Sequence, residues 1–130
     1  MIEGARRQRW SCWGLVLAYM AALFVLSSIP NPPSLPRAAS DKLIHAALYA
    51  GLGAVTIRAL AEGRWHELRL AHVLGAVLIA TIYGAFDEFH QSFVAGRRSD
   101  FADLRADAIG ASVAAFSLWL WGILTRRPRN

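Results

Sequence analysis

Four long apolar runs, separated by charged or proline-containing stretches, dominate the chain. The first extends from about Trp10 to Ile29 without a charged residue. At about 1.5 Å rise per residue, a helix of that length spans roughly 30 Å, the thickness of a bilayer's hydrocarbon core. Pro30-Asn31-Pro32-Pro33 ends it. The second run begins at Ser40-Asp41, a polar cap followed by a first-turn acid, and continues to about Leu60. The third covers about Leu70 to Phe89, with Asp87 and Glu88 in its last turn, and the fourth about Asp107 to Leu124. The pattern predicts an all-α fold, an integral membrane bundle of four transmembrane helices at about 10–29, 41–60, 70–89 and 107–124. The connections are short enough for antiparallel neighbours. Arg6 to Arg9 before an apolar run also has the outline of a signal peptide. The run is long for that purpose, and Pro36-Arg37-Ala38-Ala39 makes a poor cleavage site.

Composition sharpens this picture. The chain is 55% hydrophobic and 18% charged, against about a quarter charged in an ordinary soluble domain. The net charge of +5 does not point to nucleic acid, because the arginines cap the apolar segments instead of gathering on one amphipathic face. Arg6, Arg7, Arg9, Arg64, Arg69, Arg126, Arg127 and Arg129 fall on one side of the bundle. Arg37, Lys42, Arg97, Arg98 and Arg105 fall on the other. This bias places both termini in the cytoplasm, and Trp10, Trp13, Trp65, Trp119 and Trp121 suit the inner interface. One cysteine, Cys12, excludes an internal disulfide and a cysteine-based zinc site. Small residues recur every four positions at Ala47 and Gly51, at Ala76, Ala80 and Gly84, and at Ala106, Gly110 and Ala114. Such faces allow close helix approach, within the chain or in a homo-oligomer.

The unusual polar residues collect at the end expected to face outward. Asp41, His45 and Tyr49 share one helical face, with Lys42 beside them. Tyr83, Asp87 and Gln91 share another, with Glu88 and His90 adjacent. Asp100, Asp103 and Asp107 form a third if their segment is helical, and Arg97, Arg98 and Arg105 are interspersed. Polar faces at one membrane depth are expected to meet, because facing lipid is costly. Candidate ligand-binding residues are therefore Asp41, Lys42, His45, Tyr49, Tyr83, Asp87, Glu88, Gln91, Arg97, Asp103 and Asp107. His45, Asp87 and Glu88 are the candidates for proton transfer. The two adjacent acids are expected to pair with Arg97, Arg98 or Arg105, and Asp41 with Arg97 or Arg98.

Two chemistries fit. The arginines can clamp a phosphate if the acids merely orient them. If the acids converge without the arginines, their repulsion calls for a divalent cation or for protonation. H-x-x-x-H and H-E-x-x-H spacings are absent, so no metal and no cofactor is assigned, and no Ser-His-Asp motif, P-loop or dinucleotide fingerprint is present.

Ser27-Ser28-Ile29-Pro30, then Asp41-Lys42-Leu43-Ile44-His45 with Tyr49, then the string from Tyr83 to Gln91, then Arg97, Asp103 and Gly110, together resemble the VanZ-like family. The resemblance covers roughly Leu26 to Ala114 and implies a single VanZ-like transmembrane domain over 1–130. It departs at Asp107, where such proteins often carry asparagine. It further implies a multi-pass protein of a bacterial inner membrane. The family takes its name from a protein associated with low-level resistance to teicoplanin. The expected function is a cell-envelope protein that binds an anionic lipid head group or wall-precursor fragment. A small membrane enzyme acting on a lipid-linked phosphate is the alternative, and a subunit of a transporter or flippase the second.

Overall fold

The computed structural model describes residues 2–31 and 38–125. Four helices carry the chain: α1 (Ile2–Ser27), α2 (Ala38–Leu60), α3 (Leu70–Gln91) and α4 (Phe101–Leu124). One turn of 3₁₀ helix, Trp65–Glu67, joins α2 to α3. All four helices are long and apolar enough to cross a membrane. Arg37, Arg126, Arg127 and Arg129, counted in the cation bias, lie outside the described residues.

The helix bounds differ from the hydropathy pattern in an instructive way. α1 starts at Ile2, so the Arg6–Arg9 cluster is helical, and it stops at Ser27, two residues before the expected end. α2 starts at Ala38, ahead of the expected Ser40-Asp41 start. α4 begins at Phe101, six residues before the expected Asp107. Asp100 caps it, its side chain accepting a hydrogen bond from the Ala102 N–H at 2.8 Å. The charges at Asp103 and Asp107 made this stretch read as a loop. They belong to a helix because both side chains point into the bundle and find partners there.

α4 packs most extensively on α2 and next on α3, while α1 lies against α2 and touches α3 only slightly. The interior is built from small residues. Ala76, Ala80, Ala111 and Ala115 are fully buried, and Gly84, Ala106 and Gly110 are buried with them. Leu74, Leu78, Ile82, Phe86 and Val113 point outward, as expected where the surroundings are lipid tails and small interfaces let backbones approach. At the α2–α4 seam, a Cβ added to Gly110 falls 2.0 Å from the Ala46 carbonyl oxygen. The Ala47–Gly51 face does not form this seam. Ala47 is exposed, and Gly51 packs under the Tyr19 ring of α1.

The two ends of the bundle are chemically distinct. At one end Trp65 meets Trp121 edge to face, with centroids 6.4 Å apart, and Arg9 lies 3.9 Å from Glu62. At the other end the loop after α1 docks on the loop before α4. The Asn31 N–H donates to the Ala95 carbonyl at 2.9 Å, and Gly96 packs against Asn31 with φ +77°. A side chain at Gly96 would have both a strained backbone and no room. This second end carries the polar faces of α2, α3 and α4.

Candidate functional site

α2, α3 and α4 each bring one polar face to the same end of the bundle. Lys42, at the start of α2, reaches across to α4, where its ammonium donates to Asp100 at 2.8 Å and to Asp103. One turn deeper, His45 Nδ1 lies 2.9 Å from Asp107 Oδ1, and His45 Nε2 lies 3.9 Å from Asp103 Oδ2. The i,i+4 spacings of Asp103 with Asp107 on α4, and of Asp41 with His45 on α2, put these partners in register. Asp107 is only 1% exposed, so the imidazole is its principal compensation in a low-dielectric interior.

α3 contributes Asp87, Glu88 and Gln91, all buried. The Gln91 amide donates to Asp87 Oδ2 at 2.8 Å, one helical turn away. Glu88 Oε2 accepts from the Asp100 backbone N–H at 2.8 Å and so anchors the start of α4. Each acid keeps one buried oxygen without a partner, Asp87 Oδ1 and Glu88 Oε1, and the buried Tyr49 hydroxyl is likewise unpaired. Buried polar atoms are nearly always satisfied, so three orphans at one end mark this region as unfinished by the protein alone. Asp100 stands outside the spans. The Lys42 ammonium, with the Ala102 N–H, holds its carboxyl below the usual carboxylate range.

The arginines are placed otherwise than expected. Asp87 and Glu88 pair with none of Arg97, Arg98 and Arg105 among the described residues, and Asp41 pairs with neither Arg97 nor Arg98. Arg97 instead donates from Nη2 to the Leu26 carbonyl at 2.8 Å and from Nε to the Ile29 carbonyl at 3.2 Å. It thereby adds a charged donor to carbonyls at and just beyond the end of α1, of which Leu26 otherwise accepts only from the Ile29 N–H at 3.4 Å. Arg98 and Arg105 are exposed. Asp100, Asp103 and Asp107 meet Lys42 and His45 without an arginine, which is the second of the two arrangements weighed from the sequence.

Of the remaining candidates, Tyr83 turns away from the cluster and donates to the Met20 carbonyl of α1 at 2.6 Å, although its ring lies 6.4 Å from that of Tyr49. His90 stacks on Phe24 with centroids 4.4 Å apart and lies 3.0 Å from Ser28 Oγ. A cleft of about 370 Å³ opens beside the cluster because α1 meets α2 closely but α3 hardly at all. Asp41, His45, Tyr49, Asp87, Gln91 and Arg97 supply its polar wall, and Leu23, Leu26, Ile29, Ile44 and Leu48 its apolar wall. The apolar wall was not anticipated. Its leucines and isoleucines read like any others in apolar runs, so no sequence signal sets them apart.

No curated protein and no solved structure matches the chain significantly. The sequence model of one family, described as VanZ/LLP1, matches residues 20–122. That stretch holds every residue of the polar cluster, from Asp41 on α2 to Asp107 on α4, together with the apolar wall of the cleft. This four-helix membrane protein belongs to the VanZ/LLP1 family.

Proposed function

We propose that the protein binds an amphipathic envelope molecule, a membrane lipid or a lipid-linked wall precursor, in the cleft between α1, α2 and α3. One observation carries this reading: a single cleft joins five leucine and isoleucine side chains to the buried polar cluster. Ligand sites are commonly apolar concavities with a few convergent polar groups. Here the acyl portion would lie along Leu23, Leu26 and Ile44. The head group would meet Asp41, His45, Gln91 and Arg97. Arg97 brings one uncommitted guanidinium nitrogen, Nη1, because the other two donate to the carbonyls of Leu26 in α1 and Ile29 just beyond it. The carboxylates and the amide can take hydroxyl or amide groups of such a head group, and the free Arg97 nitrogen its phosphate. The cation bias of the sequence supports an orientation with this end of the bundle at the outer face of a bacterial inner membrane.

The enzyme reading has its own support in the His45–Asp107 pair at 2.9 Å. A buried carboxylate holding one ring nitrogen leaves the other positioned to move a proton. Turnover of a lipid-linked phosphate by the purified chain, abolished in His45→Ala, would establish it. A transport path has no comparable support, since the clustered polar residues occupy one end of the bundle. Glycopeptide tolerance is an expectation from the family's name and is tested by the teicoplanin susceptibility of a host expressing the chain.

The test of the binding reading is native mass spectrometry of the detergent-purified protein titrated with a polyprenyl phosphate, with phosphatidylglycerol and with phosphatidylcholine. The expected result is saturable binding of about one polyprenyl phosphate or phosphatidylglycerol per chain. Ile44→Trp, which fills the cleft mouth, and His45→Ala should both weaken it. Equal binding of all three lipids, unchanged in Ile44→Trp, overturns the proposal.

A further inference from the structure

The orphaned oxygen of Glu88 asks for a partner that the chain does not supply. Glu88 is 5% exposed, and its Oε1 makes no hydrogen bond. A carboxylate oxygen of Glu88, a ring nitrogen of His45 and a carboxylate oxygen of Asp107 all lie within 4.8 Å of one another. His45 is the only member of this set that can carry a positive charge. Two buried carboxylates beside one imidazole form an electrostatically incomplete group, because unpaired charge in a membrane interior is costly.

We propose that His45, Glu88 and Asp107 form a site for one transition-series dication such as Zn²⁺ or Mn²⁺. The donor set suits such an ion. Imidazole disfavours Mg²⁺ and Ca²⁺, which prefer all-oxygen shells, and two carboxylates balance the double charge. Ligand bonds of about 2.0–2.2 Å place neighbouring donors roughly 3.3 Å apart. The 2.9 Å between His45 Nδ1 and Asp107 Oδ1 is already close to that edge, once the ring proton has left. A second grouping, Asp41, His45 and Asp103, also lies within 4.8 Å. There the Lys42 ammonium already sits on Asp103 and occupies the place of a cation. The inner set has no such competitor.

Three protein ligands leave the ion with an open coordination position. His45 also belongs to the cleft wall, so an oxygen of a bound head group can complete the shell. This gives an acidic cluster a way to hold a phosphate with only one guanidinium nitrogen, that of Arg97, at the cleft. The inference deepens the lipid-binding reading, but it can be tested without any lipid.

The full chain in detergent is stripped with EDTA and dialysed against Zn²⁺ or Mn²⁺, and its ion content is measured by mass spectrometry. The expected result is about one ion per chain, lost in Glu88→Gln and Asp107→Asn and kept in Asp103→Asn, with helicity checked by circular dichroism. Pulsed electron paramagnetic resonance on the wild-type Mn²⁺ form should show coupling to an imidazole nitrogen, a readout that needs no variant. Absence of stoichiometric ion, absence of that coupling, or retention of the ion in Glu88→Gln while Asp103→Asn loses it overturns the proposal. A protein that takes up no ion on reloading yet still binds lipid rejects the ion and leaves the lipid reading standing. An ion site in a protein that binds no lipid does the reverse.

Discussion

Gly110→Ala couples the packing of the bundle to the geometry of its polar site. The new methyl carbon would lie 2.0 Å from the Ala46 carbonyl oxygen and 2.8 Å from its Cα, against a practical limit of 3.0 Å. Both obstacles are backbone atoms of α2, so no side chain can turn aside. The helices must part by about 1 Å at this level, the kind of overpacking that costs about 1–3 kcal/mol. For a chain of this size that is a fall in melting temperature of roughly 3–15 °C. The displacement has a local reading too. Ala46 follows His45, and Gly110 lies one turn from Asp107, so the 2.9 Å contact between them stretches to about 3.9 Å and ceases to be a hydrogen bond. The assay is differential scanning fluorimetry on the native tryptophans, combined with ¹⁵N NMR of the His45 ring. Gly14→Ala is the control, since a Cβ there meets nothing within 4 Å; it should melt at or above the wild-type temperature. A Gly110→Ala protein with wild-type melting and unchanged His45 signals refutes the reasoning.

Arg97→Ala removes the charged donor from the Leu26 and Ile29 carbonyls, leaving Leu26 with only the Ile29 N–H at 3.4 Å, and should destabilise the chain by about 1.5–3 kcal/mol, the range for hydrogen bonds with a charged donor. Arg97→Lys should recover only part of the lost thermal stability, because one ammonium cannot reproduce the two-point contact. The lowered pKa of Asp100 contributes stability that is present above the ordinary carboxylate range and is lost as pH falls through the depressed value. Melting temperature should therefore drop more between about pH 6 and about pH 3 in the wild type than in Asp100→Asn. A cysteine at Ser99 should react with an impermeant reagent added outside the cell and one at Glu62 should not, the reverse pattern inverting the proposed orientation. Ser34, also expected outside, lies beyond the described residues.

The helices and the meeting of polar faces were legible because both follow from periodicity. Apolar runs of about 20 residues read as membrane-spanning helices, and Asp41 with His45 or Asp103 with Asp107 must share a face once helical. The start of α4 was not legible. Charge in its first two turns argues for a loop until Lys42 and His45, far away in sequence, are known to receive it. Nor was the role of Arg97, because its partners are main-chain carbonyls, which every residue possesses and no side-chain pattern marks. Pairing acids with the nearest arginines in sequence failed for the same reason. Glu88 is satisfied on one side by a backbone N–H of Asp100.

The slight contact between α1 and α3 has a bearing on how any occupant would arrive. Leu26, Ile29 and Ile44 line the cleft and are themselves 44–48% exposed, so the rim offers hydrocarbon, not water, to an approaching molecule. A visitor from the bilayer would search in two dimensions and would already be partitioned and partly oriented on arrival. Its working concentration is the mole fraction among lipids, not the molarity of a solution. A contact that looks weak in a dilute micelle can then be substantially occupied in a cell, and affinities for this protein are best expressed per lipid.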